Sequence, residues 1–396
     1  MSSERCLVCG LPLSGAATGG YHQACAQRLF GRKKVPTFAY STDELNRMAE
    51  NIIRSRISVT GVQPKLSLHL ERAAAGDDRL TLVGLDGEYI LKLPTRMYAE
   101  LPESEHFAMT LANLCGIKTA EFGLVRLESG ALAYLTRRMD REDGVKHMLD
   151  CCQLTNRQTE RKYSGSYEQI AKVLRACSSQ AGEDLGEYFE LLVFCYLIGN
   201  SDMHLKNFSL IREHDGSWHL SRAYDLVPVK TVMPADADEL ALTLNGKNRN
   251  LRLGDFRKAA ESMRFTPVQL ERTLKRVLRG LDEHLDEALD RSFLSEDFGK
   301  RVRTLIAEHA AVLRGVSARG AARRTVTTLV TTTVFVSVTT FVTVFATVTT
   351  FVVTTADAAD GCRPQPTTIA ATSTTGIRTR ASTINSPPSK PSNLKT

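Results

Sequence analysis

Asp202 and Asn207 stand five positions apart in Gly199-Asn200-Ser201-Asp202-Met203-His204-Leu205-Lys206-Asn207-Phe208, directly after the apolar run Leu191 to Ile198. A carboxylate that orients an attacking hydroxyl and takes its proton, with an amide oxygen nearby to help hold a metal ion, is what phosphoryl transfer requires. Asp225 lies eighteen residues past Asn207 in Ala223-Tyr224-Asp225-Leu226, after Trp218-His219-Leu220, which reads as a strand. A carboxylate there can face Asn207 and bind magnesium on the β- and γ-phosphates of ATP. Lys92 sits in the apolar strand Ile90-Leu91-Lys92-Leu93, where a lone ammonium is costly unless an anion meets it. A phosphate and an acid on the following helix would serve; Glu105 is the assigned acid, with Glu103 beside it as the competing residue. Either acid also suits the helix N-terminal dipole.

Ser58-Val59-Thr60-Gly61-Val62-Gln63-Pro64-Lys65 reads as a turn whose backbone N–H groups and Lys65 cover phosphates, although it holds one glycine. Each residue also has a plainer reading. Asp202 and Asn207 suit a helix C-terminus and turn, Asp225 a turn, Lys92 a strand lysine reaching for water, and Ser58 and Thr60 an ordinary strand. The weight of the set is collective.

A separate constellation lies at the N-terminus. Cys6-x2-Cys9 and His22-x2-Cys25 supply four soft ligands in two close pairs, a spacing compatible with a tetrahedral structural zinc. The competing reading is a cluster of buried thiols around a satisfied histidine. The nine cysteines are otherwise scattered, which fits reduced thiols in a cytoplasm rather than a disulfide framework.

The elements that must position these groups follow from periodicity. Residues 1–35 form the Cys/His unit. Residues 36–140 open with a short helical pattern from Asp43, then turn strand-like from Val59 to Leu70, Thr81 to Val83 and Tyr89 to Leu93, with Leu85-Asp86-Gly87-Glu88 as a hairpin-type turn. Pro102 to Gly116 is helical, and Phe122 to Leu127 and Leu132 to Thr136 return to strands. Over 141–318 the pattern is helical, with Ser166 to Ala176, Leu185 to Ile198, Leu253 to Met263, Pro267 to Leu278 and Phe298 to Arg314 as the main stretches. The fold class is α+β, two-lobed, with a small sheet-rich N-lobe and a mostly helical C-lobe.

Composition excludes less. At 42% hydrophobic and 24% charged, the 396 residues suit a globular chain, and the net charge of +7 suits an acidic partner without saying which. The polar start lacks the apolar core of a signal peptide. Residues 319–396 break from the rest: Thr325 to Ala356 is uncharged and rich in Thr and Val, then Thr, Ser and Pro dominate. This tail reads as a disordered, aggregation-prone extension; a membrane span is the weaker alternative.

Thr60-Gly61-Val62-Gln63-Pro64-Lys65, Ile90-Leu91-Lys92-Leu93-Pro94, Gly199 through Asn207, and Ala223-Tyr224-Asp225-Leu226, in that order, resemble the HipA toxin kinases across roughly residues 50–315. The resemblance implies a cytoplasmic serine/threonine protein kinase with a protein-kinase-like fold, using ATP and magnesium. In it Asp202 is the catalytic base, Asn207 and Asp225 hold magnesium, and Lys92 grips the nucleotide. Thr60, Gly61, Val62, Gln63, Lys65, Glu105, His204 and Tyr224 complete the nucleotide site, and Arg137, Met139 and Asp140 run past adenine and ribose. Ser58, and Thr60 as in short relatives, would be autophosphorylation sites that silence the enzyme.

The resemblance further implies a toxin that phosphorylates an aminoacyl-tRNA synthetase, a DNA-binding antitoxin partner, no direct nucleic acid binding, and no membrane association. Long HipA proteins carry a larger N-terminal subdomain before the phosphate loop. This chain is similar to the short HipT kind, in which a separate small HipS-like protein supplies it. Two other classes stay open: a catalytically inactive nucleotide- or DNA-associated binding module, and a small-molecule kinase with the same lobes.

Overall fold

Buried Leu66, Leu68 and Leu70 alternate with exposed or half-buried neighbours along Lys65–Glu71 (β3), the period of a strand with one face on a core. The computed structural model describes residues 4–13, 17–45, 47, 48, 63, 65–72, 78–84 and 86–315. Ser58, Thr60, Gly61, Val62 and the 319–396 tail lie outside the described residues. Two short strands, Ala17–Thr18 (β1) and Tyr21–His22 (β2), pair antiparallel before Gln23–Phe30 (α1).

β3, Arg79–Val83 (β4), Tyr89–Lys92 (β5), Phe122–Arg126 (β6) and Leu132–Arg137 (β7) form one antiparallel sheet in the order β4-β3-β5-β7-β6. Lys92 stands opposite Lys65 on one neighbour and Tyr134 on the other. Residues directly opposite in antiparallel strands share a face, so these three side chains emerge together.

The turn expected at 85–88 is not a hairpin. β4 and β5 both pair with β3 and not with each other, so the connection passes over β3. Glu88 Oε2 accepts the Leu70 N–H at 2.8 Å, and Gly87 N–H donates to Ser67 Oγ at 3.1 Å. A Cβ on Gly87 would lie 2.2 Å from the Leu68 carbonyl oxygen, so only glycine fits there.

Leu101–Leu114 (α2), with proline in its first turn, is buried from Ser104 through Ala112. Such all-round burial means both faces are covered. It packs against β6 and β7 on one side and the long helix Pro267–Arg291 (α8) on the other.

The second lobe holds Met148–Asp150 (β8), Cys151–Leu154 (α3), Tyr167–Cys177 (α4), Ala181–Leu197 (α5), Ser209–Arg212 (β9), Trp218–Leu220 (β10), Val229–Val232 (α6), Leu253–Ser262 (α7), α8 and Glu296–Leu313 (α9). Ser166, Thr266 and Ser295 cap α4, α8 and α9 by accepting a backbone N–H. β10, β9 and β8 form a small antiparallel sheet; β8 and β9 are absent from the sequence reading because three or four residues give no readable alternation. α8 runs beyond the expected Leu278 to Arg291. Gly280 does not stop it, since a Cβ there would meet Cys115 at 3.2 Å, which marks close helix packing.

Among the described residues no helix is long and apolar enough to cross a membrane.

Candidate active site

The apolar helix α5 ends at Gly199, whose φ of +68° and close approach to Leu305 (2.6 Å from a built Cβ) favour glycine. The chain then turns through a tight loop. The Asp202 N–H donates to Asn200 Oδ1 at 3.3 Å. Asn207 Nδ2 donates to the Asp202 carbonyl at 3.1 Å, and the Asn207 N–H to the His204 carbonyl at 2.9 Å. These bonds tie the two ends of the segment into one rigid loop, with Asp202 exposed and Asn207 buried. Ser201 Oγ bonds to Asp236, and Lys230 Nζ donates to the carbonyls of Asp236 and Asp238 at 3.0 and 3.2 Å, anchoring the loop from below.

The Asp202 carboxylate accepts a 2.6 Å hydrogen bond from Tyr163, a half-exposed residue the sequence reading did not single out. His204 is buried edge-on against the Tyr163 ring at 5.1 Å, and burial holds its imidazole down at about 4, although Asp202 pulls the other way. His204 is therefore neutral at neutral pH. The charges of Asp202 and Asp225 both act on Tyr163 and on His204.

Lys92 emerges from β5 almost fully buried. Its Nζ donates to Glu105 Oε1 at 2.6 Å and Oε2 at 2.8 Å from α2, and also to Asp225 Oδ1 from the second lobe. Burial alone would lower the Lys92 pKa, but Asp225 and Glu105 outweigh it and raise it above the usual lysine value. Asp225 holds φ +60°, a left-handed conformation that aspartate tolerates better than most residues. Lys65 Nζ lies 3.3 Å from its second oxygen. Burial would raise the Asp225 pKa; Lys65 and Lys92 drive it far below the usual carboxylate range instead. The Lys92 ammonium also lies 5.4 Å from the Tyr134 ring centroid. Glu103, the competing acid, has no part in this cluster.

Tyr224 lies under the loop, its hydroxyl bonded to Ser209 Oγ at 2.6 Å and to the Lys206 carbonyl at 2.8 Å. Lys206 Nζ pairs with Asp150 at 2.6 Å, a contact with no sequence signal because Asp150 belongs to the unanticipated β8. Gln63 Nε2 donates to the Leu93 carbonyl at 2.8 Å, next to Lys92. At the end of β7, Arg137 donates to the Glu142 carbonyl at 3.1 Å, and Asp140 is clasped by Arg138 and Arg141 at 2.8 and 2.6 Å. Met139 packs with Ala120 and Ile211, at the edge of a cleft also lined by Glu142, Lys146 and Arg222. The structure thus gathers Lys65, Lys92, Glu105 and Asp225 into one contact network, with Asp202 and Asn207 on a single loop nearby. Cys6, Cys9, His22 and Cys25 converge at a separate place.

A family model described as the HipA-like C-terminal domain matches residues 57–285. A Sinorhizobium fredii protein named "Putative kinase Y4dM" is 37% identical over 185 residues, 43% of this chain and 45% of that protein. A Haemophilus influenzae protein named "Putative kinase" is 29% identical over 232 residues, 55% of this chain and 64% of its own length. The chain therefore spans 45% and 64% of the lengths of these two curated relatives. Among solved structures, HipA of Shewanella oneidensis, in complex with HipB and its operator DNA, superposes with a TM-score of 0.55 at 21% identity, covering 68% of this chain and 70% of that one. That likeness carries the fold alone: a two-lobed, protein-kinase-like α+β architecture.

Proposed function

The chain belongs to the HipA-like C-terminal domain family, and from that premise we propose that it is an ATP- and magnesium-dependent serine/threonine protein kinase, the toxin of a toxin–antitoxin pair. The observation that carries the reading is the convergence of one buried ammonium, Lys92, on carboxylates from two lobes, Glu105 and Asp225. A buried ion pair adds little to stability over an apolar substitute. A three-way cluster joining two lobes, together with a loop built around an exposed Asp and a buried Asn, is accounted for better by chemistry than by folding.

The donor set fits the two cofactors. The Asp225 carboxylate, held ionised, and the Asn207 amide are hard oxygen donors of the kind magnesium takes. Lys65 and Lys92 are fixed cations suited to phosphate oxygens. Bound ATP supplies the transferred phosphoryl group, and magnesium neutralises charge on it. The chain's own residues do the rest. Glu105 fixes where the Lys92 ammonium points. Asp202, on its hydrogen-bonded loop, orients a substrate hydroxyl and takes its proton on a carboxylate oxygen. Met139, with Ala120 and Ile211, offers apolar surface for the base, flanked by Arg137 and Asp140. Neutral His204 and Tyr224 support the loop from behind.

From the family relation we further propose a protein substrate, an aminoacyl-tRNA synthetase; control by autophosphorylation at Ser58 or Thr60; and cytoplasmic action. The HipB and DNA bound to the Shewanella protein suggest a DNA-binding antitoxin as this chain's partner.

The test is incubation of the dephosphorylated full chain with labelled ATP and magnesium, alone and with bacterial lysate, comparing wild type with Asp202→Asn. Loss of the base should reduce incorporation by roughly 10²–10⁴-fold. Incorporation equal in both proteins, or none in either, would favour a nucleotide- or DNA-associated binding module.

A further inference from the structure

Residues 4–31 are too few to build a core of their own. They contribute two two-residue strands and one eight-residue helix. What converges inside them is a donor set: Cys6, Cys9, His22 and Cys25 bring one ligand atom each to within 4.8 Å of one another. Tetrahedral zinc with Zn–S bonds near 2.3 Å holds its sulfurs about 3.7 Å apart, so a small contraction closes the set. Cys9 Sγ and His22 Nδ1 are already 3.4 Å apart.

The surroundings are arranged for a ligand. His22 Nε2 donates to the Pro12 carbonyl at 3.1 Å. This fixes the tautomer and leaves Nδ1 bare toward the three sulfurs, as second-shell partners of metal-bound histidines do. The backbone N–H of His22 points at Cys6 Sγ at 3.4 Å, and the Gly10 N–H closes a turn onto the Cys6 carbonyl at 2.8 Å.

The same turn is docked onto the rest of the molecule. The Leu7 carbonyl accepts the Leu124 N–H of β6 at 2.7 Å. The Val8 carbonyl accepts His106 Nε2–H at 2.8 Å, in a buried contact. Gly10, at φ +70°, lies so close to the end of α8 that a Cβ would sit 1.9 Å from the Arg291 carbonyl oxygen. His106 is the neighbour of Glu105 on α2, and burial keeps its imidazole down at about 4, so at neutral pH it serves as a neutral donor.

We propose that Cys6, Cys9, His22 and Cys25 bind one zinc ion, and that the loaded turn is a strut which, through Val8 and His106, holds α2 so that Glu105 meets Lys92. Zinc binding releases the three thiol protons to solvent and leaves a Cys3His site with no open position, which makes its role structural. The proposal stands apart from phosphoryl transfer, since neither metal content nor the position of α2 requires that the chain turn over ATP.

The test uses the full chain. Elemental analysis should give one zinc per chain, lost in Cys25→Ser, and cobalt exchange should give the visible bands of a tetrahedral thiolate site. Because loss of a ligand in Cys25→Ser can unfold the unit, the second variant is His106→Phe, which keeps the packing and removes the donor. It should retain zinc yet speed hydrogen exchange in Leu101–Leu114 on the order of tenfold, as chelation of the wild type should, while Glu296–Leu313 stays unchanged. A folded chain without stoichiometric metal, or zinc retained in Cys25→Ser, overturns the site. Unchanged exchange in α2 after both chelation and His106→Phe overturns the strut.

Discussion

Glu105→Gln gives a test of the lobe-bridging cluster that needs no substrate. Glu105 is 1% exposed, and its pKa is pushed up to about 7, first by burial and then by Asp225, with Lys92 pulling it back. The physical reason is a mismatch of charge: one ammonium faces two carboxylates, and Asp225, which also has Lys65, keeps its own negative charge. In the unfolded chain Glu105 titrates near 4.3. A folded pKa above the unfolded one means the folded state binds the extra proton, so this contribution is fully present below about pH 4.3 and is lost as pH rises through about 7. The gap corresponds to about 4 kcal/mol, of which about 2–3 kcal/mol falls between pH 5 and pH 8. Glutamine keeps the size and cannot titrate. Urea unfolding of the full chain at several pH values should show the wild type losing that amount relative to Glu105→Gln between pH 5 and pH 8. Parallel profiles would refute the reasoning, because they would mean that Glu105 does not exchange a proton on folding and is not held in this buried, anion-rich cluster.

Other outcomes follow from single contacts. Tyr163 competes for the Asp202 oxygen that a substrate hydroxyl would use, so Tyr163→Phe should raise the rate of phosphate incorporation, by up to roughly tenfold given the strength of a bond to a charged group. A fall of similar size would make Tyr163 a positioning residue instead. Gly199→Ala combines a left-handed backbone with a Cβ 2.6 Å from Leu305, and should destabilise the chain by about 1–3 kcal/mol in urea midpoint measurements; an unchanged midpoint would show that α5 does not end in this turn.

What was legible in the sequence has a common physical origin. Lys92 stood out because an ammonium in an apolar strand must be compensated, and the nearest helix had to carry the compensating acid. The choice of Glu105 over Glu103 was open in the sequence and is resolved only by packing: α2 is covered on both sides, and Glu105 faces β5 while Glu103 does not reach Lys92. The α5-to-loop boundary was legible because a long apolar run ended at a glycine followed by polar residues. The capped helices α4 and α9 were readable within a few residues for the same kind of reason, since a hydroxyl cap and an apolar stripe are local properties.

The parts that could not be read are those whose signal is non-local. β8 and β9 are too short to show alternation and exist because their backbone groups pair with each other and with β10; without them, the Asp150 partner of Lys206 has no address. The order of β3, β4 and β5 is held by the backbone ladders that β3 makes with both neighbours, pairings distant enough in sequence that the local residues suggest a hairpin instead. Tyr163 lies in a polar stretch where nothing marks it, and it gains meaning only when the loop at 200–207 is brought beneath it. The Cys/His spacing was readable as a ligand set. Its contact with His106 was not, because that histidine looks like one more residue of an amphipathic helix until the turn at Val8 is placed against it. A group whose burial would be expensive, such as Lys92, therefore announces itself in sequence, whereas the contacts with Glu105 and Asp225 that make its burial tolerable are settled only by topology.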